Sequence, residues 1–250
     1  MLLVVVVLLA GCGDETKPAR PTPTPTAEIT LGEPFDILEE AAGTYLIADR
    51  TENAVFRLRD GALETVAKLE GPRDLEPTPD GRVLVASGRH VMALDPRTGA
   101  TETVATAQDE VLGITAGGAL TDGRRVVRDG RVLVRGLDGA HGLLETRAGL
   151  VVCDSGNGRV LLVGRRRRVL ADGLDLPSFA ASAPDGALYV TEFGAGRLIR
   201  IERSGRVRPI ADVPSPTALS VARDGSVLVT GLGGFVSRVD PETGDVEPLS

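Results

Sequence analysis

The chain has 250 residues, a net charge of −7 from 28 basic and 35 acidic side chains, and a mean hydropathy of +0.06. That balance excludes a nucleic-acid binder, which needs a basic stripe. Two cysteines cannot staple a chain of this length, so a disulfide scaffold is excluded as well. No tryptophan and only two tyrosines leave no aromatic platform for a polysaccharide or a quinone.

Residues 1–10 read MLLVVVVLLA, too short to span a bilayer and of the length of a signal-peptide apolar region. The next residues complete Leu9-Ala10-Gly11-Cys12, which resembles the lipobox of bacterial lipoproteins. The resemblance implies cleavage before Cys12 and attachment of a diacylglyceryl group to its thiol; a plain secretory signal is the other reading. Residues 1–11 are thus expected as a lipoprotein signal peptide and 12–27 as a tether. The alternating Thr-Pro run at 21–26 favours extended polyproline II, a spacer at about 3.1 Å per residue.

From residue 28 to 250 one unit repeats. Gly43, Gly81, Gly118, Gly149, Gly186 and Gly225 each open a short apolar segment, at spacings of 38, 37, 31, 37 and 39. Those segments, such as TYLIADR, RVLVASG and ALYVTEF, alternate and are rich in β-branched residues, as half-buried strands are. A strand introduced by a turn precedes each (PFDI, PRDL, VLGI, AHGL, PSFA, PTAL) and a hairpin with a third strand follows. A more polar fourth strand closes several units. No segment shows a helical apolar stripe with caps. Four antiparallel strands per unit, six times, predict an all-β six-bladed β-propeller. Blade three, about residues 110–138, is short and irregular. Two segments compete to complete the last blade: Val246–Leu249, and residues 29–31, expected to pair beside or in place of it.

The strand and turn sequences resemble known propeller families. Asp154-Ser-Gly-Asn-Gly-Arg159-Val160 is similar to the core of NHL repeats, and residues 183–192 (APDGALYVTE) resemble the repeat unit of virginiamycin B lyase-like propellers. Residues 31–36 (LGEPFD) resemble the opening of the SMP-30/gluconolactonase group. These families imply the same fold but host enzymes, sensors and scaffolds alike.

The gluconolactonase resemblance implies a divalent cation in the central channel, held by a Glu, Asn residues and an Asp. Glu33 matches the glutamate, but Ser178 and Thr217 stand where Asn and Asp are needed, and a hard cation wants several converging oxygens. The virginiamycin resemblance implies a histidine and glutamates with magnesium, for which His141, Glu192 and Glu33 are candidates. The other reading of His141 is a turn histidine satisfied by backbone or water. Asp36 and Asp74 follow Pro34 and Pro72, and with Arg73 and His141 give the channel mouth both signs of charge, fit for a small polar ligand. Alternatively these aspartates bond nearby backbone N–H groups. Asp49 and Asp154 tie down hairpins, Asp154 with Arg159. Cys153 alternates inward as a buried thiol, and His90 sits solvated in an outer hairpin. The four arginines at 165–168 fall in a hairpin of blade four, where a solvated turn competes with a site for phosphate or anionic headgroups.

The expectation is a monomeric lipoprotein of the bacterial cell envelope, extracytoplasmic and lipid-anchored at Cys12. Its propeller binds a protein partner or small polar ligand through Glu33, Asp36, Arg73, Asp74, His141, Ser178, Glu192 and Thr217. No cofactor is called for, a divalent cation being the one the resemblance admits. The competing expectation is a metal-assisted lyase or lactonase with its site in the channel.

Overall fold

A computed structural model describes residues 30–249. They form six four-stranded antiparallel sheets in chain order. Blade 1 comprises β1 (Pro34–Ala41), β2 (Thr44–Asp49), β3 (Ala54–Arg59) and β4 (Ala62–Lys68). Blade 2 comprises β5 (Pro72–Pro77), β6 (Val83–Ser87), β7 (His90–Leu94) and β8 (Thr101–Thr106). Blade 3 comprises β9 (Gly113–Ile114), β10 (Ala119–Thr121), β11 (Arg125–Arg128) and β12 (Arg131–Arg135). Blade 4 comprises β13 (Ala140–Thr146), β14 (Gly149–Asp154), β15 (Arg159–Val163) and β16 (Arg167–Ala171). Blade 5 comprises β17 (Pro177–Ser182), β18 (Leu188–Glu192), β19 (Arg197–Ile201) and β20 (Val207–Asp212). Blade 6 comprises β21 (Pro216–Val221), β22 (Val227–Gly231), β23 (Phe235–Val239) and β24 (Val246–Pro248). The first strand of each blade is innermost and meets the first strands of both neighbours.

The sequence dictates this layout locally. Strands β2, β6, β14, β18 and β22 are buried on both faces, which their runs of Val, Ile, Leu and Ala suit. The fourth strands are polar and largely exposed, as outer edges must be. Turns between first and second strands need a left-handed residue, and Gly43 and Gly81 supply it at φ +71° and +84°. Blade 3 is the short one, with two residues in β9 and three in β10.

The core lies between blades rather than at one centre. Each of six buried apolar clusters spans one pair of neighbouring blades. Ile37, Tyr45 and Leu58 of blade 1 pack with Leu228 and Val236 of blade 6, closing the ring. Between blades 2 and 3 the cluster shrinks to Ala86, Val91, Val111 and Ile114. Cys153 is fully buried between blades 4 and 5; burial, then the nearby Asp154 charge, pushes its thiol up to about 12, so it stays unreactive.

Polar side chains bridge every junction. The Asp36 carboxylate accepts the Leu75 N–H of blade 2 at 2.7 Å, and Asp74 accepts the Ile114 N–H of blade 3 at 2.7 Å. Thr121 Oγ1 donates to the Ala140 carbonyl at 3.4 Å, and Ser155 Oγ to that of Pro177 at 2.7 Å. Thr191 Oγ1 donates to the Thr217 carbonyl at 3.3 Å, and Thr217 Oγ1 to that of Pro34 at 2.7 Å.

Ring closure departs from the sequence expectation. The last blade takes its outer strand from β24 at the C-terminal end. Ile29 lies outside the described residues, and Thr30 and Leu31 are not in a strand. Leu31 instead packs beside Leu249 on the blade 6–blade 1 cluster. β24 is already placed beside β23 by a short hairpin, so it takes the edge without a long-range closure.

Backbones approach closely where first strands of neighbouring blades touch. A Cβ on Gly142 would lie 2.6 Å from the Ser178 carbonyl oxygen and 2.7 Å from Phe179 Cα, and one on Gly113 would strike the His141 carbonyl. Gly142→Ala and Gly113→Ala should each lose about 1–3 kcal/mol in urea unfolding, the usual range for overpacking. Gly117→Ala, which meets only the flexible carboxylate of Glu145, should lose clearly less. Equal losses at all three positions would refute close inter-blade backbone packing.

Candidate functional site

The second residue of each first strand stands at one end of the channel, where the chain enters the blade. There the ring carries Phe35, Arg73, His141, Ser178 and Thr217, and in blade 3, where β9 starts at Gly113, the preceding Leu112. Arg73 is only 7% exposed, and its guanidinium lies 5.0 Å from the Phe35 ring centroid. It bonds Glu110 through Nε at 2.8 Å and through Nη2 at 2.7 Å, while the Glu110 side chain remains half exposed. Arg50 approaches the same Phe35 ring at 5.8 Å and pairs with Glu33 at 3.2 Å. Two cations thus share one aromatic ring, each held by a carboxylate at the rim. His141 is mostly buried; desolvation, then the Arg73 charge, pushes its pKa below the ordinary histidine value. The imidazole is therefore neutral at pH 7.

The remaining candidates serve the framework. Ser178 Oγ donates to the Leu176 carbonyl at 3.2 Å within its own turn. Thr217 spends its hydroxyl on the Pro34 carbonyl and lies 2.9 Å from Thr230 Oγ1. Glu192 is 1% exposed, accepts the Asp175 N–H at 2.7 Å and pairs with Arg197 at 2.6 Å. Asp154 occupies the matching position in blade 4, accepting the Asp138 N–H and pairing with Arg159 at 2.7 Å. Asp49 does the same work in blade 1, taking the N–H groups of Gly32, Glu33 and Glu52. The structure therefore brings Arg73 and His141 together, with Glu33 nearby through Arg50 and Phe35, and leaves Ser178, Thr217 and Glu192 in structural bonds. Sequence reasoning missed Phe35, Arg50 and Glu110. Glu110 stands two residues before Leu112, as Glu33 does before Phe35, and that repeat position is the signal for it.

A second cluster follows the same strands inward. Asp36 and Asp74 are 5% and 6% exposed, and their carboxyl groups are close enough to perturb each other. Asp36 also accepts its neighbour's Ile37 N–H at 2.8 Å. Both aspartates bond backbone N–H groups, but the second amide each time belongs to the next blade. Burial, then the Asp74 charge, holds Asp36 well above the usual carboxylate range, while burial pushes Asp74 up to about 6. Glu76, two residues further on, rises to about 8 through burial and the charges of Asp74 and Glu145. Glu145 is engaged by Arg128 and by Thr115 Oγ1 at 3.2 Å. Glu76 accordingly keeps its proton at pH 7, and burial favours the neutral form of Asp36 as well.

This donor set does not fit a divalent cation. Asp36 and Asp74 commit oxygens to backbone N–H groups, His141 faces the Arg73 cation, and among the described residues no three His, Cys, Asp or Glu side chains converge as a metal site.

Raised carboxyl pKa values make the native state bind more protons than the unfolded chain between about pH 4 and 8, so stability falls as pH rises through that window. It is greatest below the unfolded carboxyl values and lost as pH passes those of the folded state, about 6 for Asp74 and about 8 for Glu76. The urea midpoint should be higher at pH 5 than at pH 8, and Glu76→Gln should shrink that difference. A midpoint that rises with pH would refute the protonated cluster.

No protein-family profile matches the chain. It is 32% identical over 213 residues to a virginiamycin B lyase of Nocardia farcinica (strain IFM 10152), covering 84% of this chain and 67% of that protein. Among solved structures it is similar to a catalytically inactive virginiamycin B lyase from Staphylococcus aureus with quinupristin, at TM-score 0.62 and 17% identity over 89% of this chain and 85% of that one. It is also similar to regucalcin, a calcium-binding protein from Agrobacterium tumefaciens str. C58, at TM-score 0.66 and 17% identity over 82% and 84%. Both structural likenesses concern the fold. By fold and by sequence, the chain belongs to the virginiamycin B lyase family of β-propellers.

Proposed function

We propose that this protein is a lipid-anchored envelope protein whose propeller binds a small anionic ligand, or an acidic group of a partner, at the Arg73 end of the channel. One observation carries the reading: Arg73 is buried against Phe35, yet among the described residues its only carboxylate partner is the half-exposed Glu110. A ligand carboxylate or phosphate replaces Glu110 on the guanidinium without uncovering it, and His141 supplies a neutral donor or acceptor beside it. Low dielectric at this buried site strengthens such a bond beyond its value in water. The anchor rests on the Leu9–Cys12 motif, which lies outside the described residues. Among those described, no helix is long and apolar enough to cross a membrane.

A second reading, lyase activity, is favoured by the identity to a virginiamycin B lyase and by a neutral imidazole at the mouth, the protonation state a general base needs. Both readings place the ligand at Arg73 and His141 and differ in whether it is changed.

A thermal-shift screen of small carboxylates and phosphates should yield a stabilising ligand. Arg73→Gln should weaken it by about tenfold or more, the scale of a lost charged hydrogen bond. Quinupristin incubated with the protein and followed by chromatography decides the second reading. Consumption abolished by His141→Ala supports a lyase; unchanged antibiotic leaves the binding protein. In cells, Cys12→Ser should move the protein from membranes to the soluble fraction, because an anchor needs its acyl chains. A Cys12→Ser protein that stays with the membranes refutes the anchor.

A further inference from the structure

The chain is acidic overall, but one edge of the ring is not. The hairpin between β13 and β14 carries Arg147, the hairpin between β15 and β16 leads into the arginines at 165–168, and blade 5 adds Arg203, Arg206 and Arg208. All are exposed, and none forms an ion pair among the described residues. These hairpins adjoin each other. A Cβ on Gly164 would lie 2.7 Å from the Ala148 carbonyl oxygen, and one on Gly205 would lie 3.2 Å from that of Leu170. Between them runs a groove of about 950 Å³ with Leu162, Leu170, Leu188 and Ile201 at its base and Arg147, Arg168 and Arg203 along it. Val169 stands 52% exposed beside it. Two acids border the groove, but Glu145 is held by Arg128 and Glu202 by Arg200 at 2.9 Å. The basic side chains are therefore not neutralised locally.

We propose that this edge docks on a bilayer surface rich in anionic phospholipid, with the arginines on lipid phosphates and Val169 and the groove at the headgroup boundary. Basic groups near such a surface gain several-fold in partition each, and guanidinium is the side chain suited to phosphate. The charges sit on hairpin tips and an outer strand, a convex rim that fits a broad surface of phosphates better than one small anion. The orientation rests on the anchor reading above. The described chain enters at the mouth end, whereas these hairpins lie at the opposite end of their strands. A tether of 17 residues, as from Gly13 to Ile29, reaches roughly 50 Å at about 3.1 Å per residue when extended, a length that would let it pass beside the ring. Docked in this way, the domain turns its Arg73 mouth away from the bilayer.

The test uses the full chain carrying Cys12→Ser, which removes acylation, in sedimentation with phosphatidylglycerol–phosphatidylcholine vesicles and with phosphatidylcholine alone. Binding should appear only with the anionic vesicles, fall at about 0.5 M salt, where the screening length is only a few ångströms, and drop at least tenfold when residues 165–168 are changed to serine. Arg147→Gln with Arg203→Gln, which leaves β16 untouched, should lower it in the same direction. Absence of binding to anionic vesicles, or equal binding by these variants, overturns the proposal. Soluble poly-glutamate bound as tightly as the vesicles, with the same dependence on these arginines, overturns it in favour of an acidic protein partner. Mass spectrometry of the wild-type chain reads the anchor separately: vesicle binding by the Cys12→Ser chain with no lipid on wild-type Cys12 keeps this docking and discards the anchor.

Discussion

Polar bridges on the inner strands, at least one at each blade junction, define this ring, because each joins a side chain of one blade to the backbone of the next. A propeller has no single central core; its apolar burial is divided into wedges between neighbours. Each wedge exists only while the two blades stay in register. The bridges set that register by occupying groups on the first strands, whose inner edge has no further strand to pair with. A hydrogen bond contributes only about 1 kcal/mol net, but a buried N–H or carbonyl left unpaired costs more than the bond returns. The bridges therefore act less as added stability than as a condition for burying the inner edge at all.

The six junctions are not built alike. Those following blades 3 to 6 use Thr or Ser hydroxyls, uncharged at every working pH. Those following blades 1 and 2 use the Asp36 and Asp74 carboxyls, whose burial beside each other raises both of their pKa values. The second of these spans the smallest apolar wedge, between blades 2 and 3. Where hydrophobic contact is scarcest, a titratable carboxyl takes the junction, and proton-linked stability concentrates in that half of the molecule.

The repeat was legible because glycine-opened turns and β-branched strands recur at nearly constant spacing, a signal that depends on local backbone rules alone. The Asp154–Arg159 pair was legible for the same reason, both residues lying in one hairpin. What the sequence concealed depends on neighbours in the ring. Glu110 reaches Arg73 across 37 positions, and Glu192 is held by a loop and a hairpin rather than turned to the channel. Glu76 reads as a surface residue before a Pro-rich turn, although its place two residues after Asp74 puts it on the same side of the strand. Closure was ambiguous because two segments of similar character compete for one edge, and chain proximity, not pattern, decides for β24.

Comparison of the six repeats within this one chain separates framework from chemistry. At the end of the second strand, Asp49, Asp154 and Glu192 all take N–H groups from the preceding turn, so the repeat keeps an acid there for a structural reason. At the second position of the first strand, or just before that strand in blade 3, the repeats hold Phe35, Arg73, Leu112, His141, Ser178 and Thr217, six different residues. Only Thr217 among them serves as a junction bridge. A position that the ring does not need for closure is free to carry a cation, an aromatic face or an imidazole without disturbing its neighbours. Arg73, Phe35 and His141 occupy that freedom together in blades 1, 2 and 4, with only Leu112 between them in blade order. The chemistry of the mouth is therefore confined to one arc of the ring, away from Thr217, the one residue at this position whose hydroxyl bridges two blades.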